Sequence, residues 1–199
     1  VVRIGAMNLL GNGLDAACHY EDALPVREAH LAMLRRVGAS EDSMLIVQSN
    51  LASTYQMLRR VEEASEMYRD AYSGRLKLDG EQDLGTLQAA SNYANALLNL
   101  KRFEDAKALL RKSVPTARRV LGENDQLTLK MRKIYARALY EDASATLDDL
   151  REAVTMLQDA ERATRRLLGG AHPLTGDIEA ALREAQAALR ARDTPSTSG

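Results

Sequence analysis

Gln88, Ser91, Asn92, Asn95 and Asn99 stand at i, i+3, i+4, i+7 and i+11, so on a helix they share one face. A face meant only for water is usually written in Glu, Lys and Arg. Asn is a poor helix former, and three on one face cost about 1.5–2 kcal/mol against Ala. Such a loss calls for a compensating contact. Side-chain amides both donate and accept, so they can hold a peptide backbone without selecting its sequence. Bonds to neighbouring helices of the same fold are the other use open to them. Asn50 and Ser53, beside Ser49, repeat the pattern 42 residues earlier.

Lys130, Lys133 and Arg137 share another face at i, i+3 and i+7. They read either as a solvated charged face or as a basic wall suited to an acidic or carboxylate-bearing segment. Catalysis would need convergent groups, and the sequence offers none. His19, His30 and His172 are scattered without metal-ligand spacing. There is no GxSxG, phosphate-cradling loop or CxxC. Gly11-Asn12-Gly13 reads as a turn between helices. Glu62-Glu63 and Asp148-Asp149 are consecutive on helices and cannot face one another. The expectation is a non-enzyme with no catalytic residue, metal or cofactor.

The elements carrying these faces repeat. Asn8, Asn50 and Asn92 are 42 residues apart, as are Gly38, Gly80 and Gly122, and Ala52, Ala94 and Ala136. A fourth unit is five residues longer, with the insertion around Glu141–Leu150 between its two halves. Each unit reads as a helix pair. In the third, Leu87, Ala90, Tyr93, Ala94, Leu97 and Leu98 recur at helical spacing over 84–100, and a second helix covers 103–121. Asp83 and Asp125 are placed as N-caps, and Thr146 opens a capping box with Asp149. Gly38, Gly80, Gly122 and Gly169 stand where helices should end. Arg35, Arg36, Lys77, Arg118, Arg119, Arg165 and Arg166 just before them suit the negative end of the helix dipole. Pro115 predicts a kink or a shortened helix.

A lone helix pair cannot bury its apolar stripe, whereas stacked pairs form a continuous core. The chain is therefore read as all-α, with about four helix pairs over 1–42, 43–84, 85–126 and 127–173. A capping helix over 174–191 turns Arg183 to solvent, and a polar, disordered tail covers 192–199. With 27 basic and 28 acidic residues the net charge is −1, so no field draws nucleic acid or an anionic membrane. The longest uncharged stretch, 84–100, is broken by polar amides and is not a membrane span. Cys18, the single cysteine, points to a reducing, cytoplasmic setting. A chain opening on Val1 suits a fragment or processed form, within a larger polypeptide or complex.

Ala52, Ala64, Tyr55, Tyr68 and Ala71, echoed by Ala94, Ala106 and Leu110, resemble the tetratricopeptide repeat (TPR) signature. The 42-residue period, the NLA word and the LGEND and LGGAHPLT junctions are similar to the kinesin light chain variety. HEAT and armadillo repeats fit the small/Tyr/small spacing poorly. The resemblance implies a right-handed α-α superhelix, a TPR solenoid. Its first helices would line a concave groove that binds a protein or peptide segment, here through Asn50, Ser53, Gln88, Asn92, Asn95, Asn99, Lys130, Lys133 and Arg137. The carboxylate-clamp pattern of chaperone-binding TPRs is incomplete. Asn92 and Lys130 match it, while Ser49, Ser53 and Ile134 stand where it wants Lys, Asn and Arg. The leading reading is an interaction scaffold, and the alternative is a regulatory or structural module of a larger enzyme or complex.

Overall fold

The computed structural model describes residues 2–193, which fold into nine helices with no strand among them. They are α1 Val2–Ala16, α2 Tyr20–Arg36, α3 Glu41–Met57, α4 Val61–Asp79, α5 Leu84–Asn99, α6 Phe103–Val120, α7 Gln126–Tyr140, α8 Leu147–Leu168 and α9 Pro173–Asp193. The polar tail placed at 192–199 lies outside the described residues from 194 onward, and α9 runs through Asp193. The helices form two compact units that meet in sequence at Leu100 and Lys101. In the first, α2 packs between α1 and α3, and α4 packs between α3 and α5. In the second, α7 packs against α6 and α8, and α9 lies on both α8 and α7.

The helix boundaries follow from local chemistry. Asp83 accepts from the Thr86 amide at 3.1 Å, and Asp125 from the Leu127 amide at 2.8 Å. Thr146 and Asp149 bond each other's backbone amides at 3.1 and 2.9 Å, completing the capping box. Gly38, Gly80, Gly122 and Gly169 take φ between 62° and 97° at the helix ends, where a Cβ is disfavoured. In the turns after α1, α3 and α5 the left-handed position falls instead on Cys18, Arg59 and Lys101. No glycine marks those turns, so composition could not flag them.

Repeated small residues carry the packing. Ala52, Ala94 and Ala136 are all 0% exposed, as are Ala106 and Ala153. In the first unit Leu31, Leu34, Val47, Leu51 and Tyr68 build one core around Ala52 and Ala64. Pro115 neither shortens nor ends α6, which runs unbroken around it. One backbone bond is lost, but Leu110, Val114 and Ala117 stay buried on the packed face and hold the helix. The Ser113 and Thr116 hydroxyls bond the Leu109 and Lys112 carbonyls beside the proline.

Gly11-Asn12-Gly13 is not a turn. It lies within α1, where Arg27 of α2 packs against Gly11. A Cβ on Gly11 would meet the Arg27 guanidinium at 3.2 Å. Arg27 is 3% exposed and donates through Nε to Asp15 Oδ2 at 2.9 Å and through Nη2 to Asn12 Oδ1 at 2.9 Å. The Thr54 hydroxyl of α3 donates to the other Asp15 oxygen at 3.2 Å. One polar knot thus ties α1, α2 and α3. In the second unit the insertion becomes the α7–α8 loop. Lys107 reaches Asp142 at 3.0 Å, and Arg192 donates to the Ala143 and Ala145 carbonyls at 2.8 Å. The Ser144 hydroxyl and amide, with Lys107, hold the Asp142 carboxyl down at about 2.

His30 on α2 is 3% exposed, with neither ring nitrogen hydrogen-bonded. Burial, helped by the Arg27 charge, lowers its pKa below the ordinary 6.5. The fold therefore keeps this ring neutral, while the unfolded chain protonates it near 6.5. Its contribution is intact above 6.5 and falls as pH drops from there towards the lower folded value. Urea unfolding at pH 7.5 and 5.5 should show acid destabilisation that His30→Leu reduces. An identical pH response in the variant would remove His30 from the account.

Candidate functional site

The amide face sits on α5, within the first unit. The Asp83 cap starts the helix, and Leu87, Ala90, Ala94 and Leu97 are buried to 2% exposure or less. Tyr72 of α4 stacks on Tyr93 of α5 with ring centroids 6.2 Å apart, fixing the rotation of α5 on its neighbour. That leaves Gln88 and Asn99 exposed and Asn92 and Asn95 half-buried. Gln88 Nε2 donates to Asn92 Oδ1 at 3.0 Å, one turn away. Ser91 departs from the face. It is 0% exposed, with its hydroxyl bonded to no protein group, so it belongs to the packed side. Asn99 also borders a cavity of about 370 Å³ with Gln56, Met57, Arg59 and Val61, at the end of α3.

On α3, Asn50 is half-buried and Ser53 exposed. The Ser49 hydroxyl is spent on its own helix, donating to the Leu45 carbonyl at 3.0 Å. Tyr68 of α4 is buried, and that burial raises its pKa. The first unit therefore carries side-chain amides on α3 and α5 with no charged group among them. Such a set can pair with backbone N–H and C=O groups of either polarity.

The basic set is on α7, in the second unit, and is largely neutralised. Lys133 Nζ reaches Asp177 of α9 at 2.8 Å, and Arg137 Nε reaches Glu141 at 2.6 Å. Lys130 is half-buried and has no ion-pair partner among the described residues. Burial, and secondarily the Lys133 charge, lowers its pKa. The sequence shows three cations on one face. The structure supplies acids to two of them, one from another helix and one from the next turn. Tyr140 adds a second tie between α7 and α9, its hydroxyl donating to Glu184 at 2.8 Å.

The histidines serve separate structural ends. His19 pairs with Asp22 at 3.6 Å, His30 is buried, and His172 Nδ1 accepts from the Leu174 amide at 3.1 Å. Among the described residues no group of three or more His, Cys, Asp or Glu could hold a metal, and no helix is long and apolar enough to cross a membrane.

Residues 45–80 and 86–126 match the family model for the tetratricopeptide repeat. A putative kinesin light chain from Podosopora anserina with nearly identical TPR-like repeats superposes with a TM-score of 0.77 at 22% identity, over 96% of this chain and 88% of that one. BtubC (BKLC) from P. vanneervenii superposes with a TM-score of 0.71 at 18% identity, over 100% of this chain and 87% of that one. At these identities the likeness is one of fold. No curated protein matches the sequence.

Proposed function

We propose that this chain, a tetratricopeptide repeat protein with a kinesin light chain-like fold, is a non-catalytic scaffold that holds an extended protein segment along the amide-bearing face of α3 and α5. Tetratricopeptide repeats mediate protein–protein interactions, and this family is generally a scaffold rather than an enzyme. The observation that carries the finer reading is the α5 face itself. Gln88, Asn92, Asn95 and Asn99 remain at least partly accessible on a helix whose opposite side is fully packed. Amides placed there at a cost in helix propensity gain by meeting a partner backbone.

Asn92→Ala/Asn95→Ala separates this reading from a purely structural one. Ala favours the helix, so the variant should melt no lower than wild type, while capture of partner segments by the purified array falls about tenfold. Unchanged capture would remove the amide face from the binding site. For an acidic partner the cation to test is Lys130, because Asp177 and Glu141 already occupy Lys133 and Arg137. A reducing, intracellular setting suits the single, exposed thiol of Cys18.

A second reading, a module packed against further protein in a larger assembly, is favoured by α1. Its Leu9 and Leu10 are 73% and 54% exposed.

A further inference from the structure

Each unit has an open recess where the second helices of two successive pairs flank the start of a first helix. In the first unit α2 and α4 flank α3, around about 470 Å³. In the second α6 and α8 flank α7, around about 400 Å³. The linings correspond in the repeat register, two 42-residue steps apart plus the five-residue insertion for α8. Asp70 corresponds to Asp159 and Gly74 to Ala163. Two of the remaining equivalents gain a cation. Gln48 is replaced by Arg132 and Ser73 by Arg162, while Lys77 stays cationic as Arg166 and α6 contributes Arg118 where α2 contributes Arg35. The first unit forms the same recess with Gln48 and Ser73 at the positions of Arg132 and Arg162, so the fold does not require those two arginines.

The second cavity holds four guanidiniums and two carboxylates. Arg118 pairs with Glu123 and Arg162 with Asp159. Both pairs are more than half exposed on the arginine side, so they exchange partners at little penalty. Arg132 and Arg166 have no carboxylate of their own among the described residues. Arg132 is half-buried, and its one hydrogen bond goes from Nη2 to the Met156 carbonyl at 3.3 Å. Burial lowers the pKa of that guanidinium, so its charge is held at the expense of solvation. Two positive charges are thus left over in a polar recess, with planar forks free to take oxygens in pairs.

We propose that this recess is a binding site for a phosphomonoester dianion, carried on a phosphorylated side chain of a protein partner. The dianion balances the two unpaired guanidiniums, with Arg132 as the desolvated anchor and Arg166 as the exposed arm. Arg162 and Arg118 swing in from Asp159 and Glu123. The site shares no residue with the α3/α5 amide face, so either can fail without the other.

The test follows the arginine Nε–Hε NMR signals of the full chain at constant ionic strength. The probes are a phosphoserine peptide, its unphosphorylated form, inorganic phosphate and sodium chloride. The phosphoserine peptide should move the Arg132 and Arg166 signals saturably, and the serine form should not. Arg132→Gln/Arg162→Ser installs the first unit's residues at these positions. It should weaken binding about tenfold or more at an unchanged melting temperature. Arg132→Lys keeps the charge without the fork and should also weaken it. Saturation by inorganic phosphate with an inert peptide would keep the dianion site but assign it to a small phosphorylated molecule. No saturable shift with either, an equal response to chloride, or wild-type affinity in both variants would overturn the proposal.

Discussion

Asp15→Ala is expected to lower the stability of the first unit by about 3 kcal/mol, well beyond an ordinary surface change. Arg27 is 3% exposed and Asp15 is its only carboxylate partner among the described residues. Removing one member of a buried pair leaves the other charge uncompensated, which costs about 3–5 kcal/mol. The lower end applies because the Asp15 side chain keeps 24% of its exposure. The same carboxylate also receives the Thr54 hydroxyl, so α1, α2 and α3 lose a shared acceptor together. Asp15→Ala/Arg27→Met should recover much of the loss, because no buried charge then remains unpaired. Urea unfolding, read beside amide protection in α2, checks both variants. A loss below about 1 kcal/mol for Asp15→Ala would mean that water, not the fold, satisfies Arg27.

The second large effect belongs to the other unit. Leu157 of α8 is 0% exposed, in a core that also fully buries Leu129, Leu139 and Ile178. Truncation to Ala removes its apolar contacts and leaves a cavity, for an expected loss of about 2–5 kcal/mol. Leu157→Met conserves volume and should cost less than about 1.5 kcal/mol. The contrast shows up in the urea midpoint at constant m-value. Equal losses for both would point to strain at the site rather than to a lost contact.

Much of what depends on near neighbours in the chain was legible. The 42-residue period, the caps at Asp83, Asp125 and Thr146 and the left-handed glycines all lie within a few residues of the bonds they make. The third unit's helices, read as 84–100 and 103–121, are Leu84–Asn99 and Phe103–Val120. Of the proposed amide face, Gln88, Asn92, Asn95 and Asn99 were readable as accessible because helical spacing fixes relative direction.

Tertiary contacts decided the rest. Gly11-Asn12-Gly13 looked like a turn from its glycines, yet it lies within α1 with Arg27 of α2 against Gly11, a contact that no local propensity encodes. Ser91 shares the spacing of the amides, yet the packing of α5 buries it. Lys133 reads as free until Asp177, 44 residues on, is brought to 2.8 Å. Arg118 and Arg166 read as complements to helix dipoles. Only folding sets them beside Arg132 and Arg162 around one recess. The sequence by itself determined that this is an array of paired helices and, for α5 and α6, where they begin and end, since backbone hydrogen bonds and apolar periodicity are short-range. Which charges stand neutralised and which remain open to a ligand was decided only in three dimensions, because an ion pair joins residues by distance in space, without regard to their separation along the chain.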